Sequence, residues 1–278
     1  MDRYIDLHMH TTCSDGAHEP EHVLALVRHT HLVAFSITDH DTFEGYFAIE
    51  ALLAPSDPEL ITGIELSVAV DGADLHLLAY MVDPEDESFQ EALSGFQKKR
   101  NQRGRLIVER LNELGLNISF DTVEEVAGGS IIGRPHIAEA LLQLGQTSYY
   151  EEAFHRYIGV GGPAYVPKAK LTPPEALRLV HQAGGVAVMA HPFVADMYQH
   201  TEYLAGLGLD GIEAYHYTMT AAQTKQARHL AERFRLVVTG GSDFHGRTSS
   251  EAPIGSQRVP ARLLDSLKQR AEQIRGHK

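Results

Sequence analysis

Short apolar, β-rich runs alternate with amphipathic helical stretches along most of this chain, and that alternation leaves few folds open to it. The expected strands are Tyr4–Leu7, Val33–Ile37, Leu60–Leu66, Asp74–Tyr80, Val186–Ala190, Gly211–Ala214 and Leu236–Thr239. Amphipathic segments such as Pro20–Thr30, Pro173–Ala183, Ala221–Phe234 and Pro260–Ile274 lie between or after them. Strands separated by helices imply a parallel sheet with right-handed crossovers, and seven strands suit a closed α/β barrel. The rhythm breaks once. From Ser88 to Tyr165 only helical patterning is visible, with Ile107, Leu111 and Leu114 at i, i+4 and i+7. The expected organisation is a barrel made of residues 1–87 and 166–278, with residues 88–165 as a helical insertion after the fourth strand.

Composition narrows the function classes. A chain of 278 residues that is 43% hydrophobic is long enough for one large core. No apolar run reaches the ~20 residues of a membrane helix, and the N-terminal stretch carries Asp6 and His8 where a signal peptide would be apolar. The single cysteine, Cys13, excludes an internal disulfide framework, so a reducing cytoplasm is the expected location. A net charge of −13 argues against broad electrostatic binding to nucleic acid, while a local basic patch stays open. Walker, HExxH and GxSxG motifs do not occur.

Histidine is the anomaly, at 17 residues, and its placement matters more than its number. His8 and His10 stand at i, i+2 at the end of the first strand, so both face one side. Asp15 follows in the next loop, before Gly16. The second strand ends in Thr38-Asp39-His40-Asp41, the third in Gly63-Ile64-Glu65-Leu66-Ser67, and the fourth carries His76. The fifth ends in Ala190-His191-Pro192 and the seventh in Gly241-Ser242-Asp243-Phe244-His245. Nearly all of these groups fall at the carboxyl ends of strands, where barrel enzymes assemble their sites.

The ordered set of DLHMH, the Ser-Asp-Gly around Asp15, TDHD, GIELS, His76, AHP and GSDFH resembles the PHP family, the polymerase and histidinol phosphatase domain, itself similar to the amidohydrolases. The resemblance implies a distorted (β/α)7 barrel and a metal-dependent phosphoesterase. Small bacterial members of that family remove phosphate from nucleotides or trim RNA from its 5′ end. Carried onto matching positions, the family scheme gives one metal to His8, His10, Glu65 and Asp243. A second would share Glu65 and add His76 and His191, and a third would use Asp15, His40 and His245. Catalysis is then expected of Glu65, Asp243 and His191, with hydroxide held on the metals attacking phosphorus in line. Two or three divalent ions are implied, and the mixed nitrogen and oxygen donors suit Mn²⁺, Zn²⁺ or Fe²⁺. Asp6 and Asp39 are expected to orient neighbouring imidazoles.

Substrate choice is expected to come from other groups. Arg134 and His136, in Gly133-Arg134-Pro135-His136, stand at the start of an expected helix, Lys168 follows the insertion, and His216 follows the sixth strand. Each reads either as a phosphate grip, as similar positions do in the family's nucleotide phosphatases, or as an ordinary exposed residue. The run Lys98-Lys99-Arg100 with Arg103 and Arg105 is either a solvated face or a contact for a second phosphate. The expected partner is a phosphorylated small molecule, a nucleotide or short RNA, with no membrane and no obligate protein partner. Two other classes stay open: a phosphatase of a small non-nucleotide ester such as histidinol phosphate, and an amidohydrolase-type hydrolase or non-catalytic metal module.

Overall fold

The computed structural model describes residues 3–128, 132–167, 170–248 and 252–276. It divides into two compact units, Met1–Gln90 with Lys170–Lys278, and Glu91–Ala169. The fold is α/β. In the first unit a sheet of order β3-β2-β1-β9 combines β1 (Tyr4–Asp6), β2 (Leu32–Phe35), β3 (Glu59–Leu60) and β9 (Val259–Pro260). A second, of order β4-β5-β6-β7-β8, combines β4 (Gly63–Val70), β5 (Ala73–Tyr80), β6 (Val186–Met189), β7 (Gly211–Tyr215) and β8 (Val237–Gly240).

Parallel pairing holds for β1 with β2, β2 with β3, β6 with β7 and β7 with β8. It fails for β4 with β5, β5 with β6 and β1 with β9, which are antiparallel, so the expectation of an all-parallel sheet is corrected. The physical reason is chain length. Only Asp71 and Gly72 separate β4 from β5, and both have positive φ, 50° and 81°. Two such residues make a tight hairpin turn, whereas a parallel crossover needs a dozen or more. The expected strand Leu60–Leu66 also divides into β3 and the start of β4.

The strands read as nearly continuous apolar runs because both of their faces are covered. All four residues of β6 are buried, as are seven of the eight in β4. Ile5, Leu7, Leu78, Tyr80, Val186 and Val188 pack against Leu264 and Leu267 of α10 (Arg262–Gly276). Met9, Phe35 and Ile37 pack against Val23, Leu24 and Val27 of α1 (Pro20–Arg28) and Ile49 of α2 (Glu44–Glu50). Helix starts follow local chemistry. The Glu175 carboxylate accepts both the amide and the hydroxyl of Thr172 ahead of α7 (Pro173–Gln182). Thr220 and Gln223 exchange the same kind of bonds at the start of α9 (Ala221–Phe234). This unit also contains a 3₁₀-helical segment, Val194–His200, and α8 (Thr201–Gly206).

The second unit has its own core, formed on α3 (Glu87–Glu113), α4 (Phe120–Ala127), α5 (Arg134–Gln143), α6 (Tyr150–Ala153) and the π-helical turn Phe154–Ile158 from Ile107, Leu111, Val123, Ile137, Leu141, Ala153 and Ile158. Leu114, expected on the apolar face of α3, is instead 46% exposed, because α3 ends before it and Gly115 turns the chain at φ 87°. Among the described residues no helix is long and apolar enough to cross a membrane.

The two sheets of the first unit meet through isolated backbone bridges. Met9 bridges Phe244, and His40 bridges Glu65. Asp6 secures one of these junctions. Its buried carboxylate accepts the amides of Ser242 at 2.9 Å, Gly255 at 2.7 Å and His8 at 3.4 Å. Burial pushes this carboxyl up, and those three donors oppose the push. Replacing Asp6 with Ala would strand buried amides, at roughly 1–3 kcal/mol each. We expect Asp6→Ala to lower the unfolding free energy of chelator-treated protein by about 2–5 kcal/mol. A urea midpoint unchanged from wild type would show that Asp6 does not hold the junction.

Candidate metal centre

Beyond β1 the chain stays extended through Leu7-His8-Met9-His10. Leu7 and Met9 point into the apolar clusters, so His8 and His10 point together to the other side. Asp243 donates its amide to the His8 carbonyl at 2.8 Å, and His10 donates to the Phe244 carbonyl at 2.9 Å. These bonds hold the GSDFH segment against β1. On the opposite side, the Asp41 carboxylate accepts the amide and hydroxyl of Ser67, each at 2.9 Å, and the Asp41 amide donates to the Glu65 carbonyl. The register of β4 is thereby set against His40. Asp41, His191 and Asp243 take positive φ, at 55°, 26° and 52°. Such conformations cost non-glycine residues about 1–3 kcal/mol and are found where side chains must be aimed at a site.

The side chains converge on Glu65, which is only 1% exposed. Its Oε2 lies 3.4 Å from His8 Nε2, 3.3 Å from His10 Nε2 and 3.2 Å from His40 Nδ1. Its Oε1 lies 2.9 Å from His76 Nδ1 and 3.1 Å from His191 Nε2. Asp243 Oδ1 stands 3.2 Å from both His8 Nε2 and His10 Nε2, and its Oδ2 stands 3.1 Å from His216 Nε2. Asp15 Oδ1 is 3.3 Å from His245 Nε2 and 3.8 Å from His10 Nδ1, with His40 Nε2 3.8 Å from Oδ2. All nine expected ligands are therefore in one cluster.

Three features of this cluster fit divalent cations. Ligand atoms come close enough to share an ion in four groups: His10-Asp15-His40-His245, His8-His10-Asp243, His8-Glu213-His216 and His40-Glu65-His76. His8 Nε2, both nitrogens of His10, Asp15 Oδ1, His40 Nδ1 and His76 Nδ1 are buried without a hydrogen-bond partner. Buried polar atoms are nearly always satisfied, so lone pairs that crowd together without pairing mark a place for a cation. Finally, Asp15, Glu65, Glu213 and Asp243 bring four carboxylates together, and buried charges of one sign need compensation.

The imidazoles and carboxylates perturb one another. Burial alone would raise Glu65, but His40, His76 and His8 hold its carboxyl well below the usual range. Asp243 and Asp15 are likewise pushed up by burial and drawn well down overall by their histidines. Burial takes His40 down to about 3, against the pull of Glu65 and Asp15. For His10 burial also lowers the value, yet Asp243 and Glu65 carry it up to about 10.

Glu213, Asp6 and Asp39 depart from the sequence reading. Glu213, in the middle of apolar β7, was not singled out by sequence reasoning. Its Oε1 is 3.1 Å from His8 Nδ1 and its Oε2 accepts the His191 amide at 2.7 Å, so it orients two expected ligands at once. A lone acid inside a buried strand was the available signal. Asp6 and Asp39, expected to orient imidazoles, bond no imidazole among the described residues. Asp6 holds backbone amides, as described above, and Asp39 accepts the amide and hydroxyl of Thr11 and the hydroxyl of Ser14. His216, expected to contact substrate, is buried beside Asp243, and the half-exposed Tyr217 ring packs on it at 4.8 Å.

The other substrate candidates lie in the second unit. Arg134 donates to the Ile158 carbonyl at 3.3 Å and stands 5.9 and 5.6 Å from the Phe154 and Tyr165 ring centres. His136 Nδ1 accepts the Gly133 amide at 3.2 Å and so caps α5. Within the basic run, Arg103 donates to the Val166 carbonyl, and Arg105 stacks 3.8 Å over Phe120 beside Glu124. Lys168 lies outside the described residues.

Glu213→Gln keeps the bulk of the side chain but removes the anion facing His8 Nδ1. We expect it to weaken metal binding by about ten- to a hundredfold with the fold intact, as loss of a ligand-orienting group does elsewhere. Unchanged affinity in a metal titration would reduce Glu213 to a packing role. A proton and a metal also compete for His10, because its raised value leaves the metal-free imidazole protonated below about 10. Affinity should therefore rise with pH across 6–8 (about one unit either side of neutrality), and loading should release protons. Calorimetry in buffers of different ionisation enthalpy checks this, and a pH-independent affinity with no proton release would contradict it.

Comparison with known proteins agrees with the site. The PHP domain model matches residues 6–166. The 5′-3′ exoribonuclease Rnm of Escherichia coli K12 is 30% identical over 256 residues, covering 86% of this chain and 84% of that protein. The phosphoribosyl 1,2-cyclic phosphate 1,2-diphosphodiesterase of Eggerthella lenta is 31% identical over 261 residues, covering 92% and 99%. A solved structure described as a proposed metal-dependent phosphoesterase of Bifidobacterium adolescentis aligns at TM-score 0.85 and 28% identity, over 97% of this chain and 96% of that one. With more than half of its length matched by the family model, and the family's motifs gathered into one cluster, the chain belongs to the PHP domain family.

Proposed function

We propose that this protein is a metal-dependent phosphoesterase that hydrolyses a phosphate ester of a nucleotide, either a 3′,5′-bisphosphate or the 5′ end of a short RNA. The observation that carries this is the convergence on Glu65 of imidazole nitrogens of His8, His10, His40 and His76 that are buried without a hydrogen-bond partner. One ion would sit among His8, His10, Glu65 and Asp243, and a second among Glu65, His76 and His191. A third would use Asp15, His40 and His245. The donor set favours Mn²⁺, Zn²⁺ or Fe²⁺ over Mg²⁺ or Ca²⁺, which prefer oxygen alone. Bound ions supply Lewis acidity and lower the pKa of water toward neutrality.

The chain's own residues do the rest. Glu65 presents one carboxylate oxygen to each of two ligand groups, Asp243 closes the first, and His191 completes the second. These three are the proposed catalytic residues. His216 is the proposed substrate-side neighbour of Asp243. Arg134, with His136 and Lys168, is proposed as an anion grip of the helical unit, on the strength of its place at the start of α5 beside Phe154 and Tyr165. The two sheets, joined at Met9–Phe244 and His40–Glu65, are read as the family's distorted seven-stranded barrel. A cytoplasmic location belongs to the same reading. The cyclic diesterase relative, matched over nearly its whole length, favours a second substrate class, a cyclic phosphodiester of a ribosyl compound.

Phosphate release and product analysis across nucleotide bisphosphates, 5′-phosphorylated short RNAs, ribosyl cyclic phosphates and histidinol phosphate would decide between these. We expect the nucleotide substrates to lead by at least about tenfold in kcat/KM, equivalent to ~1.4 kcal/mol. Glu65→Gln should abolish turnover of all of them, and Arg134→Ala should cost about tenfold or more on the bisphosphate but little on a small aryl phosphate. A preference for histidinol phosphate, or amide turnover without phosphate release, would overturn the nucleotide reading.

A further inference from the structure

Arg247 stands two residues beyond His245 and reaches back to the loop that carries Asp15. Its Nε donates to the Asp15 carbonyl at 2.8 Å, a terminal nitrogen also bonds that carbonyl, and the same nitrogen pairs with Asp15 Oδ2 at 2.9 Å. One planar guanidinium thus holds both the backbone and the carboxylate of a single residue, a geometry that an ammonium cannot copy. The two carboxylate oxygens are divided by this contact. Oδ2 pairs with Arg247 and lies 3.8 Å from His40 Nε2, whereas Oδ1 is buried, has no hydrogen-bond partner, and faces His245 Nε2 at 3.3 Å and His10 Nδ1 at 3.8 Å.

We propose that Arg247 is a positioning residue for one metal only, the ion bound by Asp15, His40 and His245. It fixes the Asp15 loop and leaves Oδ1 as the sole coordinating oxygen of that carboxylate. This inference rests on the metal-centre reading and goes beyond it, because it assigns the affinity of one site to a side chain that contributes no donor atom. The neighbouring geometry supports it. Gly246 adopts φ 69°, and a Cβ there would come within 2.4 Å of the His18 ring, so the turn that sends Arg247 back toward Asp15 depends on glycine. A separate backbone bond, from the Ala17 amide to the His245 carbonyl at 2.7 Å, joins the same two loops. Loss of Arg247 therefore leaves the loops connected through Ala17 while releasing the Asp15 carbonyl and carboxylate. By contrast the His8, His10, Glu65 and Asp243 group is held by strand pairing and by Glu213, with no contribution from Arg247 among these contacts.

The test is stepwise Mn²⁺ binding to the chelator-stripped full chain, by calorimetry and elemental analysis. Wild type, Arg247→Ala, Arg247→Lys, Asp15→Ala and the Asp15→Ala/Arg247→Ala double variant would be compared. Arg247→Ala is expected to weaken one step by about ten- to a hundredfold and leave the others unchanged. Arg247→Lys should recover only part of the loss, since it restores charge but not the fork. In the Asp15→Ala background, removing Arg247 should add nothing. The inference is overturned if Arg247→Ala leaves every step unchanged while Asp15→Ala weakens one, or if it weakens all steps alike, or if its effect persists without Asp15. Should Asp15→Ala itself leave every step intact, the assignment of Asp15 as a ligand fails first, and that outcome is distinct from the others.

Discussion

Glu65 is a carboxylate in a buried strand, with five imidazoles, those of His8, His10, His40, His76 and His191, within 3.4 Å of its two oxygens. A charge in such a place is tolerated only when opposite charge surrounds it. The neighbouring carboxylates raise His8 and His10 despite complete burial, so these two supply part of that charge by protonation when no cation is present. A divalent ion supplies it more fully and frees the histidines to act as neutral ligands. Much of the first unit can be understood as a means of keeping this carboxylate in register with its partners. The β4–β5 hairpin, the Asp41–Ser67 bonds and the His40–Glu65 bridge all act on the strand that carries it.

The acids around the site fall into two chemical roles despite their shared motifs. In TDHD, Asp39 satisfies Thr11 and Ser14, and Asp41 satisfies Ser67, while the histidine between them goes to the metal cluster. Asp6 in DLHMH does for the Ser242 and Gly255 amides what Asp39 does for Thr11. Carboxylates that accept backbone amides hold loops, and those that face unpaired ring nitrogens are the proposed ion ligands. In TDHD and DLHMH a scaffold carboxylate stands one or two residues from a clustered histidine, so ligand and scaffold are encoded together.

That arrangement explains what could be read from the sequence. His8 and His10 were legible because a period of two puts them on one face, and His40, His191 and Asp243 because they end strands. The helix Ala221–Phe234 was legible to the residue because Thr220 and Gln223 form its cap. Glu213 was not, since its function depends on which imidazole nitrogen faces it across 205 residues of chain. The antiparallel pairing of β4 and β5 was missed although Asp71-Gly72 is a turn signal, because the strand–helix rhythm elsewhere favoured parallel pairing. Asp6 and Asp39 were given imidazole partners by proximity in sequence, whereas backbone amides, which every residue carries, were nearer.

The same hairpin limits how the chain's length can vary. Ser67 pairs with His76 and Glu65 with Leu78, so Glu65 and His76 share a face as diagonal neighbours across the two strands. Inserting one residue between Ala73 and His76 would turn the imidazole to the opposite face, among Leu75 and Leu77 of the core. Inserting two would restore the face but carry the ring about 7 Å along the strand, away from Glu65. Neither parity of insertion is tolerated there. A change of length meets no such parity constraint in the segment Glu91–Ala169, which holds none of the clustered ligands.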